Sequence, residues 1–351
     1  MPTLLANVLE SFSQALFQAK DVPEEEARRL ASSLVLSNLS GHDSHGVIRI
    51  IQYLNAIASG QLNVGVDLKV VHETPAIVAA DGQWGLGQVQ AHRLLDLVTP
   101  KAKQIGLAAG TLKQSGHIGR LGEYAERMAG EGFAFWATVN NHGFARGVAP
   151  PGGKEARIGT NPVCMGAPTE GDPVVLDIGT SVVAEGKVRV AFNSGLDVPE
   201  GWLLDSEGKP TTDPSKLYTD PPGTIRPLGG DSAYKGFGLG LLLDMLVGGL
   251  SGGSCSHPSL PNMSGNAVLF LVMNPDLFAG REHFITQVMT VRDSVKSCPK
   301  AEGAGEIILP GEPERHQRNQ RKQNGIRLDE GTWKQLTDLA GELSVPVPVV
   351  E

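Results

Sequence analysis

Cysteine is scarce: the chain of 351 residues has three, Cys164, Cys255 and Cys298, far apart and with no CxxC pair. That excludes a disulfide framework or a thiolate zinc site, and the expected setting is a reducing compartment, the cytoplasm. A basic excess is also missing, because 30 Lys and Arg face 38 Asp and Glu, leaving a net charge of −8. The one basic run, Arg315, Arg318, Arg321 and Lys322, is interleaved with Gln, Asn and His and reads as a solvated helix, so no nucleic-acid partner is expected. No basic segment followed by an apolar run opens the chain, and no signal peptide is expected. Long apolar runs are absent too. The most apolar stretch, Phe237 to Leu250, is broken by glycines and Asp244; at about 14 residues it is too short for a bilayer and reads as a buried helix. No G-x-G-x-x-G follows an apolar strand and no Walker A loop occurs, so a Rossmann or P-loop nucleotide site has no support. No H-E-x-x-H and no internal repeat are present.

What remains is a turn-rich globular composition, 40% hydrophobic, 19% charged and with 44 glycines. The pattern predicts helices at 4–19, from Pro23 to Leu39, at 87–105 closed by Gly106, at 121–129, at 281–296, a charged one after Pro310-Gly311-Glu312 to Asn324 closed by Gly325, and at 329–343. Strands are expected on both sides of Thr74-Pro75, at 107–112, 133–139, 174–178 and 267–273, while 187–191 alternates. Residues 193–233 form a long Pro- and Gly-rich connection of the kind that covers a site, and 251–266 reads as mobile. Strand, polar loop, helix, strand is the α/β rhythm, in which His117 and Asn140 stand at strand ends that line ligand clefts. Gly236-Phe237-Gly238-Leu239-Gly240 fits a close-packed helix as well as phosphate contact. Gly249-Leu250-Ser251-Gly252-Gly253 has the nucleophile-elbow spacing in the wrong context and reads as a helix end.

The stretch around which the rest is arranged is Gly41-His42-Asp43-Ser44-His45-Gly46-Val47-Ile48-Arg49. A helix from Ser44 to about Ala58 puts Val47, Ile50, Ile51, Leu54 and Ile57 on one face and His45, Arg49 and Gln52 on the other, with Ser44 as N-cap and Gly60 as stop. A proton-transfer group and a fixed cation then lie one turn apart, able to hold a carboxylate and pass a proton beside it. A solvated polar face with a cap explains the same spacing. His42 and His45 also allow a metal-dependent hydrolase, but further donors are distant and no metal is expected. On an α-helix Ser44 and His45 point about 100° apart, a poor geometry for mutual contact.

Eight blocks in order resemble the type-2 malate/L-lactate dehydrogenase family, oxidoreductases without a Rossmann fold. They are Gly41–Gly46, Ser115–Arg120, Gly159–Pro162, Leu176–Ser181, Gly186-Lys187, Pro199–Trp202, Tyr234–Gly236 and Leu309–Glu312. Within the family the likeness is to the hydroxycarboxylate dehydrogenase B type, on His117 to Arg120 with Ser251-Gly252-Gly253. The resemblance implies a three-layer α/β fold with a helical N-terminal segment, residues 1–75 packing with 230–351 around a cofactor-binding part at 76–229. It implies His45 as proton donor, Ser44 as its relay, and Arg49 and Thr160 as substrate contacts. NAD or NADP would be held by His117, Ile118, Gly119, Arg120, Leu121, Asp177, Ile178, Gly179, Lys235, Pro310, Gly311 and Glu312; the loop position of Arg120 is open to a 2′-phosphate contact and equally to a plain surface arginine. A homodimer with the site near its interface is expected, with a small 2-oxo or 2-hydroxy acid as the ligand and no membrane partner. One departure is Glu185 before Gly186, where many members have Arg or an aromatic residue. An acid there repels a second carboxylate and favours a monocarboxylate over malate. Reduction of a cyclic ketimine by the same residues, or a silent metabolite-binding protein, would carry the same motifs.

Overall fold

The computed structural model describes residues 1–142, 146–259 and 265–349. Gly143 and residues 260–264, part of the stretch expected to be mobile, lie outside them. In chain order the elements are β1 (Thr3–Leu4), α1 (Ala6–Gln18), α2 (Glu24–Leu39), α3 (Arg49–Ala58), β2 (Lys69–Glu73), β3 (Ile77–Gly85), α4 (Gly87–Ile105), β4 (Leu107–Ser115), α5 (Gly122–Gly130) and β5 (Ala134–Asn140). Then come β6 (Val163–Ala167), β7 (Val174–Ile178), α6 (Glu185–Asn193), β8 (Leu203–Leu204), β9 (Pro210–Thr211), β10 (Thr224–Ile225) and α7 (Ala233–Ser251). The last are β11 (Asn266–Met273), α8 (Arg281–Lys296), α9 (Glu312–Asn324), β12 (Ile326–Arg327) and α10 (Glu330–Glu342).

The architecture is three-layered α/β. A seven-stranded sheet has the order β2-β3-β4-β11-β5-β6-β7, with β3 and β4 parallel and every other pair antiparallel. Its central strand β11 shows why there are three layers. Val268, Phe270 and Val272 point into one cluster with α4 and α5, while Ala267 and Leu269 point into another with Val247 of α7. A strand buried on both faces needs no polar alternation, and β11 has none in its run from Ala267 to Met273. The sheet draws strands from both sides of residue 230. A second cluster joins α1, α2 and α3 to α10 and β12 through Leu9, Leu16, Leu30, Leu34, Ile50 and Leu336. Glycines stop the helices where expected, with Gly106 at φ +97° after α4 and Gly325 at +80° after α9.

Three expectations are corrected. The alternating stretch at 187–191 is helix α6, because 146–233 forms a small core of its own in which Val188 is buried among Val148, Val183, Val198 and Ile225. Helix α7 is longer than the apolar run, 22 residues from Gly230 to Ser251 with its lead-in turn, long and apolar enough by length and composition to cross a bilayer. Its inner face instead packs on the sheet, and its buried Asp244 accepts from Asn140 (3.1 Å) and from the backbone N–H of Ser256 (2.7 Å). Nor is α7 buried all round, since Leu239, Leu242, Leu246 and Leu250 are exposed. The glycines of its inner face serve close packing: a Cβ on Gly240 would lie 2.6 Å from Thr180 Oγ1. Gly252 ends it at φ +71°, the helix end expected there.

Candidate active site

The His42–Gly46 turn is built by Asn38, the penultimate residue of α2. Its Oδ1 accepts from the Val47 N–H at 2.8 Å and its Nδ2 donates to Asp43 Oδ1 at 2.6 Å. Only glycine fits at 46, because a Cβ there would sit 2.2 Å from Asn38 Oδ1. Gly46 is extended, at φ −87° and ψ −155°, which separates a short 3-10 turn at Asp43–His45 from α3, whose first residue is Arg49. Ser44 is therefore not an N-cap. The same break overturns the geometric objection to a Ser44–His45 contact, for Ser44 Oγ lies 3.1 Å from His45 Nδ1. Arg49 folds back onto the turn, with Nε donating to the Ser44 carbonyl at 2.6 Å and Nη1 to Gln52 Oε1 at 2.7 Å. Neither bond uses Nη2. Gly186, at the start of α6, closes the turn from the other side, where a Cβ would lie 3.0 Å from Ser44 Cβ.

The His117 ring stands 5.5 Å, centroid to centroid, from that of His45. A cavity of about 380 Å³ adjoins it, lined by Gln52, Tyr53, Asn55, Ser59, Gln61 and His117 among others. Burial, then the Arg49 cation, pull His45 down to about 3, and the same two causes hold His117 well below the ordinary imidazole range. Burial likewise lowers His142 to about 4. The free site therefore holds neutral imidazoles at neutral pH. Because folding lowers these pKa values, the unfolded chain binds more protons below about pH 6.5, and stability must fall as pH falls through that window. Between pH 7.5 and 5 the loss is about 2 kcal/mol for each of His45 and His142. The urea midpoint at pH 5 should be well below that at pH 7.5; equal midpoints would contradict neutral burial.

Among the remaining predicted residues, Arg120 is buried, not a surface arginine awaiting a 2′-phosphate. It is 3.0 Å from Glu126 Oε2, and the Asp177 carboxylate adds to its field. Asp177 Oδ2 accepts the Gly122 N–H at 2.7 Å, at the start of α5, and burial raises its pKa. Ile118 is held by Asn266, whose Oδ1 accepts its N–H at 2.9 Å, and Gly119 turns the loop into Leu121 at φ +75°. Ile178 pairs with Val163, and a Cβ on Gly179 would meet the Thr160 carbonyl at 3.5 Å. The 310–312 loop lies beside the same strand, with the Pro310 carbonyl accepting from Val175 at 3.3 Å and Gly311 at φ +88°. Glu312 is occupied by Lys296 at 2.6 Å. Lys235 is exposed on α7, its Nζ 5.9 Å from the Tyr234 ring centroid, and is not brought against these groups. Asn140 is corrected: it is buried and spent on Asp244 and Ser254, not on a cleft. His42 faces Glu314 at 3.3 Å, and among the described residues no three His, Cys, Asp or Glu side chains are grouped as metal ligands.

The profile of the malate/L-lactate dehydrogenase family matches residues 5–337. The chain belongs to that family. Hydroxycarboxylate dehydrogenase B of Escherichia coli O157:H7 is 38% identical over 346 residues, 97% of this chain and 94% of the relative. The structure of sulfolactate dehydrogenase from Methanocaldococcus jannaschii superposes with a TM-score of 0.86 at 32% identity, covering 98% of each chain. That of delta1-piperideine-2-carboxylate reductase from Pseudomonas syringae pvar. tomato does so at 0.83 and 28%, covering 97% of this chain and all of the other. This member of the malate/L-lactate dehydrogenase family is thus an enzyme, a dehydrogenase, and its family implies a nicotinamide cofactor.

The residues present fit such a group. The Nε of Arg120, which lies in the field of Asp177, and the Oδ1 of Asn161, whose backbone carbonyl accepts from Thr180, are buried without a hydrogen-bond partner among the described residues. A buried polar atom left so is costly unless a ligand completes it. Several residues that build the site carry no motif of their own. Asn38 shapes the turn. Arg321 grips it through Asp43, at 2.6 and 2.9 Å, and Arg318 reaches Ser40 and Glu126. The basic run read as a solvated helix is therefore a clasp on the site. Only Tyr53 had a sequence signal, one turn beyond Arg49 on the same helix.

Proposed function

We propose that this dehydrogenase interconverts a 2-oxo and a 2-hydroxy monocarboxylic acid with NAD or NADP, using His45 for the proton. The observation that carries the reading is the His45–Ser44–Arg49 arrangement beside His117 and an open cavity. When bound, the nicotinamide supplies or accepts hydride at the substrate's second carbon. Arg49 takes the carboxylate with the part of its fork not spent on Ser44 and Gln52, fixing which face of the carbon is presented. That contact offsets the Arg49 charge, which after burial is the second cause of the low His45 pKa, and so favours a proton on His45 as an oxo acid binds. In reduction His45 then gives this proton to the oxygen. In oxidation the neutral ring accepts the hydroxyl proton, with the Ser44 hydroxyl steadying Nδ1. Thr160, beside Gly179, adds a substrate contact, and Arg120, Asp177 and the 117–121 and 310–312 loops hold the cofactor.

Glu185 supports the monocarboxylate. It sits next to Gly186, which covers Ser44, and its carboxylate accepts from Arg189 (2.6 Å) and from Tyr218 (2.9 Å). The pairing occupies Arg189 as a cation for a second carboxylate, and being exposed it discriminates only modestly. The test is oxidation of NADH, and separately NADPH, with pyruvate, phenylpyruvate and oxaloacetate. Turnover of pyruvate or phenylpyruvate above oxaloacetate is expected; preference for oxaloacetate would contradict the reading. The likeness to a piperideine-carboxylate reductase favours a second reading, reduction of a cyclic ketimine by the same residues. It predicts that methylamine raises the rate with pyruvate.

The exposed ridge of Leu239, Leu242, Leu246 and Leu250 on α7, together with α8, which buries no residue, favours a homodimer. Sedimentation should give a mass of two chains; a monomer at micromolar concentration would contradict it.

A further inference from the structure

Behind His117 lies a chain of three buried groups that the proposed chemistry does not yet use. Tyr53 Oη is 2.7 Å from His117 Nδ1, and Gln88 Nε2 is 3.0 Å from the same oxygen. Tyr53 is 3% exposed and Gln88 fully enclosed. A phenol has one proton. The Gln88 amide N–H occupies the Tyr53 oxygen as an acceptor, so the Tyr53 proton goes to the partner that remains, His117 Nδ1. An imidazole that accepts at Nδ1 and is neutral carries its proton on Nε2.

We propose that Gln88 and Tyr53 are positioning residues that lock His117 as the Nε2–H tautomer. His117 then donates a hydrogen bond to the substrate oxygen that receives the His45 proton. This deepens the reading of the site as a 2-oxo acid reductase and rests on it for the second step. No proton leaves His117. The proton comes from His45, and the His117 N–H steadies the negative charge until it arrives, a donor in place before reaction. The surroundings agree. Burial holds the Tyr53 hydroxyl up at about 12, so it keeps the proton it donates. His117 faces the Arg49 cation and the His45 ring, which both disfavour a second proton on it. Its ring also lines the 380 Å³ cavity together with Tyr53.

The test needs no cofactor for its first arm. In the full-length protein labelled with nitrogen-15 histidine, the His117 signals are those lost in His117→Gln. Native protein should show a pyridine-like Nδ1 and a protonated Nε2, unchanged between pH 6 and 8. Tyr53→Phe should give a mixture of tautomers. A protonated Nδ1 in the native protein would overturn the lock. In the second arm Tyr53→Phe should lower kcat for reduction about tenfold to a hundredfold, up to the size of one lost donor to a developing oxyanion. KM should stay within about threefold, as the substrate carboxylate still rests on Arg49. An unchanged kcat, or a loss confined to KM, would overturn the donor role. Protein that reduces no 2-oxo acid but shows the Nε2–H tautomer would remove the reductase reading and the donor role while leaving the lock in place.

Discussion

Arg49→Ala is expected to lower kcat/KM for a 2-oxo acid about a hundredfold to a thousandfold. A desolvated carboxylate that loses its guanidinium costs about 2–5 kcal/mol. Part of the loss will appear in KM, because Arg49 is the only cation that α3 offers beside the turn. Part will appear in kcat, because Arg49 Nε also holds the Ser44 carbonyl at 2.6 Å and with it the His45 turn. Arg49→Lys should recover little, since an ammonium cannot bind Ser44, Gln52 and a carboxylate in one plane. Steady-state kinetics with pyruvate decide the matter; a loss under tenfold in Arg49→Ala would move the carboxylate elsewhere. The variant carries a second signature. Arg49 is one of the charges that depress His45, so its removal should shift the acid limb of the oxidation rate upward in pH.

His45→Ala should lower kcat in both directions by about 10² to 10⁴, the range for lost general acid–base help. Substrate KM should change little, because the carboxylate and the cavity remain. The direction of pH dependence separates a base from a bystander. With its pKa held at about 3 in the free protein, native His45 is ready to accept a proton across the neutral range. Oxidation of the hydroxy acid should therefore weaken only in acid. Reduction must first load His45 with a proton, so its rate should fall as pH rises, and the variant should lose that slope.

Elements with a short-range cause were legible in the sequence. The span of α4 is bounded by glycines and followed from apolar spacing alone. The pairing of His45 and Arg49 was legible too, although the helix expected to carry both proved to be a turn and a helix separated by Gly46. That break depends on Asn38, whose side chain no helical pattern announces. Long-range effects were not legible. The centre of the sheet, β11, pairs Asn266–Met273 with strands more than 120 residues earlier. Tyr53 shapes His117 from 64 residues away, and the burial of Arg120 depends on Glu126, which reads as an ordinary acid on a helix. The outer face of α7 is apolar and exposed, and composition alone cannot distinguish such a face from one buried inside the fold.

The most direct measurement is the loss of NADH or NADPH absorbance on adding pyruvate or phenylpyruvate, with native protein and His45→Ala side by side. The account predicts turnover by the native protein with one of the cofactors, and a fall of at least about a hundredfold in the variant. Native turnover that survives in His45→Ala would remove His45 from proton transfer. Absence of turnover with every oxo acid and ketimine would contradict the proposed activity itself.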